Sequence, residues 1–305
     1  MIMERQLARS FFLIRPSAFG YNHQTADDNS FQTRPSNTSY TKIHSAALAE
    51  FNVMLEKLNS YELDPIVFED AQDPFTPDAI FPNNWISTHN GGIIVTYPMW
   101  SEIRRKERSE IILDFLESEL SYTRRYSFEY LEDENFFLEG TGSMVLDRPN
   151  KLIYAGLSNR TSIKALDKFA VLMGYRAIHF HTSLDNKPVY HTNVMLSIAS
   201  DYAVVCPQII REENEQKMLL DTLKRSGRSI IEIEPSQMQS FAGNVIQLEN
   251  KRAETVTLMS DTAMASFKPD QMDIIRNSGP VVSLSIPTIE KYGGGSVRCM
   301  IAELF

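Results

Sequence analysis

The sequence predicts an α/β protein in which five similar modules close into a ring. Three observations support this fold class. Amphipathic helical patterns recur along the 305 residues at a spacing of roughly 50–60 residues, a period typical of repeated structural units. Strand pairs joined by polar turns lie between these patterns, and the two ends of the chain can supply the one strand pair that is missing.

Five segments carry apolar residues at the spacing of a helix, as in Ile43, Ala47, Phe51 and Met54 of the first segment. Each segment is predicted to form one helix, and the five ranges are 41–58, 101–119, 161–173, 213–224 and 262–276. Four hairpins are predicted between them, because residues 89–91, 147–150, 200–201 and 249–252 have turn chemistry between strand-like runs. After each helix comes one more strand, so each module reads ββαβ.

The fifth hairpin is predicted to form from the two ends of the chain. The C-terminal "VRCMIAELF" (297–305) and the N-terminal "RSFFLIRP" (9–16) are both strand-like. An open mixed sheet is the alternative, but it would leave an apolar strand at an exposed edge. We therefore expect a closed ring with paired termini. No linker or low-complexity stretch interrupts the chain, so residues 1–305 are expected to form a single domain.

Composition limits the classes of function. The chain is 43% hydrophobic and 23% charged, with a net charge of −9 and a pI near 5.3. This balance disfavours nucleic acid and anionic membranes as partners, because both bind basic surfaces. There is no apolar run of about 20 residues, the length of a membrane-spanning helix. Two cysteines, Cys206 and Cys299, do not suggest a disulfide framework. We expect a cytoplasmic protein with a small-molecule substrate, and a homo-oligomer is possible.

Cys299 is the first candidate for chemistry. Three glycines, 293–295, stand close before it and remove side chains where a thiol could meet a ligand. The alternative is a glycine turn followed by a small buried cysteine, and the residues alone leave both open. For Cys206, inside the apolar run "AVVCP", the buried structural interpretation is stronger.

A nucleophilic cysteine needs a base, and often an acid that orients the base. His191 opens a predicted strand at a position equivalent to that of Cys299 in the last module. His179 and His181 share one face of a strand, but no further ligands accompany them, so no metal site is predicted. In a closed ring, equivalent positions converge on the axis. The residues expected to line one central pocket are Glu139, His191, Cys299, Asn83, Asn84 and Asn244.

Four motifs together resemble the guanidino-group-modifying superfamily: "GGGSVRCM", the mid-chain histidine, "LEGTGS" (138–143) and "GLSNRT" (156–161). The fold of that superfamily is the pentein, a five-bladed α/β propeller, and its members include arginine deiminases, dimethylarginine hydrolases and amidinotransferases. The N-terminal "RPSAFGYNHQTADDNSFQ" and "IFPNNWIST" look most like its citrulline-utilisation hydrolase branch. The resemblance covers nearly the whole chain.

The resemblance implies a role for each matching residue. Cys299 corresponds to the nucleophile, His191 to the general acid/base, and Glu139 to the acid that orients the histidine and binds a substrate nitrogen. Arg160 corresponds to the arginine that binds the substrate α-carboxylate, although an exposed surface charge is the alternative for it. Neither a metal nor an organic cofactor is implied.

Departures from the deiminase pattern bear on the substrate. Deiminases carry an aspartate two residues after the histidine and an acidic residue within the segment aligned with "PNNW", whereas this chain has Asn193, Asn83 and Asn84. Neutral amides suit a ureido group better than a buried cation. We therefore expect hydrolysis of citrulline to ornithine, carbon dioxide and ammonia. Asp78 and Glu139 remain acidic, so a second alternative stays open, a deiminase or dihydrolase of arginine or an arginine derivative. A non-catalytic pentein binding module is the third alternative.

Overall fold

The computed structural model describes residues 4–71 and 73–305. Within them, the strands form five sheets of three strands each. In every sheet the middle strand pairs antiparallel with one neighbour and parallel with the other. One or more helices lie between the parallel pair in the sequence. The predicted five-module α/β propeller is confirmed.

The strands are numbered along the chain. Their bounds are Ser10–Arg15 (β1), Ile66–Glu69 (β2), Ile86–His89 (β3), Ile93–Thr96 (β4), Arg124–Ser127 (β5), Val145–Asp147 (β6), Leu152–Leu157 (β7), Arg176–His181 (β8), Leu196–Ile198 (β9), Tyr202–Val205 (β10), Ser229–Glu232 (β11), Ile246–Glu249 (β12), Thr255–Ser260 (β13), Val281–Leu284 (β14) and Ala302–Leu304 (β15).

The α-helices are numbered in the same way. Their bounds are Tyr40–Ser60 (α1), Glu102–Arg105 (α2), Glu110–Glu119 (α3), Gly140–Ser143 (α4), Ile163–Met173 (α5), Glu213–Arg225 (α6), Pro235–Gln239 (α7), Asp261–Ser266 (α8), Pro269–Asn277 (α9), Pro287–Gly293 (α10) and Val297–Met300 (α11).

The two ends of the chain meet in one module, as predicted. Strand β15 pairs antiparallel with β1, with Ser10 opposite Leu304 and Phe12 opposite Ala302, and β1 pairs parallel with β2. Phe11, Phe12 and Leu13 of β1 are buried. The apolar C-terminus is therefore tied into a sheet, and its backbone groups are paired where a loose tail would leave them in water.

Two of the predicted helices are each divided in two. The range 101–119 forms α2 and α3, and the break between them contains Glu107, which is buried against Arg104. Ser109 then caps α3 by accepting a hydrogen bond from the Ile112 N–H. The range 262–276 forms α8 and α9, because Pro269 at the first position of α9 cannot continue a preceding helix.

The predicted strand over 297–305 is also partly wrong. Only Ala302–Leu304 is extended, and Val297–Met300 forms one helical turn in which the Cys299 N–H donates to the Ser296 carbonyl at 2.9 Å. The preceding helix α10, which the sequence did not reveal, ends at Gly293. Gly294 caps it with φ +64°, a conformation that glycine adopts without strain. Cys299 therefore lies on a turn before its strand.

The apolar core lies between the sheets and the helices that cover them. Its largest fully buried side chains include Trp85, Tyr97, Tyr154, Phe51 and Phe169. None of the helices in 4–71 and 73–305 combines the length and apolar character needed to cross a lipid bilayer. The assignment of one domain to residues 1–305 stays a prediction.

Candidate active site

The predicted site residues lie on turns that precede the first strand of each module. Asn84 ends the turn before β3, Glu139 precedes the turn before β6, and His191 precedes the turn before β9. Asn244 follows a turn closed by its own N–H on the Phe241 carbonyl, and Cys299 lies on α11. The first strands surround the axis of the propeller, so five turns far apart in sequence bring these residues together.

The side-chain amides of two asparagines contact the Cys299 thiol. Its Sγ is 3.2 Å from Nδ2 of Asn244 and 3.6 Å from Nδ2 of Asn193. The cysteine is buried. Burial raises the pKa of the Cys299 thiol. Hydrogen bonds from the Ser296 backbone and the Asn244 side chain oppose this rise only in part. Without a ligand, the group is therefore a neutral thiol with donors ready to stabilise the thiolate.

His191 and Glu139 form a buried hydrogen-bonded pair. The imidazole Nε2 lies 2.8 Å from Oε2 of Glu139. Burial opposes ionisation of Glu139, but the charge of Arg160 and the His191 hydrogen bond outweigh it and lower the pKa of Glu139 to about 2. Burial lowers the pKa of His191 to about 4 despite the carboxylate. The pair is thus a carboxylate and a neutral imidazole, which can take a proton from a thiol.

A compact cavity of about 260 Å³ opens beside these groups. Cys299, His191, Asn84, Asp78, Arg104 and Arg160 are among its lining residues. Gly295 also lines it, and a Cβ there would lie 3.0 Å from the Phe81 ring and 3.3 Å from the Cys299 Cβ. The glycine therefore keeps the approach to the thiol open.

Arg104 is a site residue that the sequence analysis missed. It is buried, it donates from Nε and Nη2 to the two carboxylate oxygens of Glu107 at 2.9 Å, and its Nη1 donates to Oδ1 of Asn84 at 2.7 Å. Because guanidinium nitrogens only donate, this contact fixes the orientation of the Asn84 amide. The signal was hidden, since "SEIRRKERSE" reads as an ordinary charged helix face.

Arg160 is buried, which excludes the surface-charge alternative, and it is already paired. It forms a two-point ion pair with Asp28, in which Nε donates at 3.0 Å, and its Nη2 donates to the Thr25 carbonyl. Asp28 belongs to a covering segment that we define as residues 22–33. This segment also contacts Asp78 through Asn22.

The covering segment lies over the cavity and contacts residues of several modules. Gln24 accepts hydrogen bonds from the Ser101 hydroxyl and the Ile103 N–H. Phe31 packs on Tyr190 and Phe241 with ring centroids 5.9 and 5.2 Å apart. Gln32 donates to the Gly293 carbonyl at 3.1 Å. In the sequence this segment stands out only as part of the motif "RPSAFGYNHQTADDNSFQ", because nothing local in it predicts these long-range contacts.

The remaining predicted residues differ in where they lie. Asp78 lines the cavity, and its Oδ1 has no hydrogen-bond partner among the described residues. Asn83 donates to the Thr141 hydroxyl at 3.3 Å and does not line this cavity. Asn193 and Asn244 contact the sulfur of Cys299 from outside the cavity lining. Over 4–71 and 73–305, no group of three His, Cys, Asp or Glu residues is arranged to hold a metal ion.

The protonation of the thiol can be tested directly. Because burial raises the Cys299 pKa, the rate of its alkylation by iodoacetamide in the ligand-free protein should keep rising beyond about pH 8.5, the ordinary pKa of a cysteine thiol. Labelling at Cys299 would be followed by mass spectrometry at a series of pH values. A rate that is already constant at neutral pH would mean that the resting thiol is ionised.

Solved structures share the fold of this chain. The N-terminal domain of ArgZ, an arginine dihydrolase from the ornithine-ammonia cycle in cyanobacteria, was solved as a Cys-to-Ser mutant bound to substrate. It matches with a TM-score of 0.74 and 14% identity, over 97% of this chain and 98% of that domain. Against the ArgZ chain of the apo structure, this chain spans only 40% of the length. DDAH from Pseudomonas aeruginosa, complexed with citrulline, matches with a TM-score of 0.66 and 16% identity, over 97% of this chain and 99% of that one.

Sequence comparison gives the family itself. A search of curated proteins found no match to this chain. The family model described as "N,N dimethylarginine dimethylhydrolase, eukaryotic" matches residues 15–305, a range that contains all the turns described above. The chain therefore belongs to the N,N dimethylarginine dimethylhydrolase family, within the guanidino-group-modifying pentein superfamily.

Proposed function

We propose that this protein is a cysteine-dependent hydrolase that converts citrulline to ornithine, carbon dioxide and ammonia. Cys299 is the nucleophile, His191 the general acid and base, and Glu139 the group that orients His191. The three roles are supported by the neutral thiol, the neutral imidazole and the 2.8 Å hydrogen bond from the imidazole to an ionised carboxylate. The description of ArgZ as an arginine dihydrolase and the name of the dimethylarginine dimethylhydrolase family also support a hydrolase.

The orientation of the Asn84 amide is the observation that favours a ureido substrate. Its Oδ1 is held by Arg104, and its Nδ2 is buried with no hydrogen-bond partner among the described residues. An ideal Cβ on Gly142 would lie 2.3 Å from this nitrogen and 2.9 Å from His191 Nδ1, so the amide lies beside the histidine. A buried donor without a partner is costly and selects an acceptor. A ureido carbonyl accepts a hydrogen bond, whereas a guanidinium only donates.

The reaction follows from these protonation states. His191 takes the Cys299 proton, and the sulfur forms a bond to the ureido carbon. His191 then gives that proton to the terminal nitrogen, and the C–N bond breaks to release ammonia. The carbonyl now links sulfur to the δ-nitrogen of ornithine. Water, deprotonated by His191, attacks this carbon and the C–S bond breaks. The thiolate regains the proton, and the carbamate product breaks down to ornithine and carbon dioxide, so one water is consumed.

The charged groups of the cavity suit the α-carbon end of an amino acid. The free Oδ1 of Asp78 can accept from an α-ammonium group. Arg160 offers the planar, two-point geometry that a carboxylate requires, once Asp28 gives up its place there. Burial raises the pKa of Asp78, and the charge of Arg104 works against the rise. An incoming ammonium group would further favour its ionised form.

Competition between Asp28 and the substrate carboxylate gives a testable result. Asp28→Asn should tighten binding of citrulline by about tenfold, because the charge that occupies Arg160 is removed. The neighbouring Asp27 is exposed and makes a matched control, so Asp27→Asn should leave the dissociation constant unchanged. Weaker binding in Asp28→Asn would show that this carboxylate holds the substrate itself.

Ligand binding tests the choice of citrulline. In a Cys299→Ser background, calorimetry should give tighter binding of citrulline than of arginine. Asn84→Asp should reverse that preference by more than about tenfold, since the carboxylate withdraws the donor and adds a charge for a guanidinium. Asn193→Asp, alone and combined with Asn84→Asp, is the matched comparison, because both positions carry neutral amides in this chain. Tight arginine binding before any substitution would contradict the proposal.

Hydrolysis of arginine or an arginine derivative is the second candidate, and one observation favours it. Around the cavity, the carboxylates of Asp28, Asp78, Glu107 and Glu139 outnumber the two guanidinium groups of Arg104 and Arg160. Burial raises the pKa of Asp78, and that of Glu107 to about 8, and a cationic ligand beside them would favour their ionised forms. The same calorimetric series separates the two candidates.

A further inference from the structure

A second cavity of about 480 Å³ lies along the axis of the propeller. We call it the axial cavity. Residues of the first strands β6, β9, β12 and β15 line it, together with partly exposed Gln6 near the N-terminus. Asn193 lines this cavity and also lies 3.6 Å from the Cys299 sulfur. Cys299 lines the substrate cavity and Asn193 lines the axial cavity, so the contact between them links the two linings.

The lining of the axial cavity is suited to water. Arg298 and Glu303 form an ion pair there at 2.8 Å, and Gln247 contributes an amide. The Ser197 hydroxyl is buried, and its oxygen has no hydrogen-bond partner within the described residues. Buried polar atoms of this kind are normally satisfied by ordered water, and the space is large enough for several molecules.

The proposed reaction needs water at a moment when the substrate side is full. After ammonia leaves, the ornithine portion stays attached to Cys299 and occupies the compact cavity. The covering segment and the guanidinium groups enclose that side. Water approaching from there would have to pass the bound amino acid, whereas the axial cavity ends at a residue already in contact with the reacting sulfur.

We propose that the axial cavity delivers the hydrolytic water to the covalent intermediate, past Asn193. This inference rests on the proposed function, because it assigns a source to the water that breaks the C–S bond. The step is the hydrolysis of the covalent intermediate, in which water adds to the thiocarbamate carbon, the sulfur leaves, and His191 transfers the proton. No further reactant is required.

Filling the cavity tests this proposal. In the series Ser197→Ala, Ser197→Val and Ser197→Leu, kcat and KM for citrulline should fall together as the side chain grows, by about tenfold or more for leucine, with kcat/KM nearly unchanged. This pattern arises when only the breakdown of a covalent intermediate is slowed. Acid-quenched samples should then show Cys299 carrying the mass of citrulline less ammonia. Ser197→Ala is the control that removes the hydroxyl without filling space.

Other outcomes separate this proposal from the proposed function. Wild-type kinetics in Ser197→Leu, or a fall in kcat/KM without a covalent adduct, would overturn the water route while citrulline hydrolysis stands. If Ser197→Leu melts early, Ser197→Val supplies the same comparison at smaller volume. A wild-type protein that releases no ornithine from citrulline would overturn both.

Discussion

Replacing Cys299 by serine is expected to lower citrulline turnover by at least about 10⁴-fold, since removing one member of a catalytic unit costs this much in comparable hydrolases. The hydroxyl is a far poorer nucleophile than the thiolate that Asn193 and Asn244 stabilise. The change removes little volume, so the melting temperature should stay close to that of the wild type. Ornithine and ammonia release would be measured together with thermal unfolding of both proteins.

The second cysteine provides the matched control. Cys206 is buried in the apolar core, and burial raises the pKa of its thiol to about 12. It makes no contact with the candidate site among the hydrogen bonds of the described residues. Cys206→Ser should therefore keep most of the turnover and lose some stability. If the Cys206 variant is the inactive one, Cys299 is not the nucleophile.

Deleting the last six residues, 300–305, is expected to abolish cooperative folding. Met300, Ile301 and Leu304 are buried, and β15 pairs with β1 at the closure of the ring. Removing these three side chains forfeits about 2–3 kcal/mol each, a sum comparable to the total stability of an ordinary domain. Circular dichroism melting and proteolysis of the truncated chain would measure the loss.

The deletion also removes contacts between modules. The Tyr122 hydroxyl donates to the Phe305 carbonyl at 2.8 Å, and the Arg148 guanidinium lies 3.6 Å from the Phe305 ring centroid. These contacts join the first module to its neighbours. A soluble truncated protein with one sharp melting transition would contradict the claim that the paired termini stabilise the ring.

Much of the fold could be predicted because its signals are local and repeated. Helical periodicity around Phe51 and turn residues such as Asn90 and Gly91 recur in each module, and the apolar tail that ends in Phe305 needs a partner strand. The breaks after Arg105 and before Pro269 were missed. The first depends on burial of Glu107 against Arg104, a tertiary contact that overrides helix propensity.

The candidate site divides in the same way. Cys299, His191 and Glu139 stand in motifs, so resemblance was enough to select them. The roles of Arg104 and Asp28 depend on a side chain meeting another 20 or more residues away: Arg104 on Asn84 and Asp28 on Arg160. Periodicity and composition carry no trace of such pairs. The orientation of the Asn84 amide, on which the choice of substrate depends, follows only from its buried neighbour.

Citrulline hydrolysis is tested by measuring the release of ornithine and ammonia by the wild-type protein, in parallel from citrulline, arginine, dimethylarginine, succinylarginine and agmatine. Citrulline should give equal amounts of ornithine and ammonia, this release should stop after alkylation of Cys299, and arginine should react far more slowly. Rapid product release from arginine or one of its derivatives, with citrulline left intact, would show that citrulline is not the substrate.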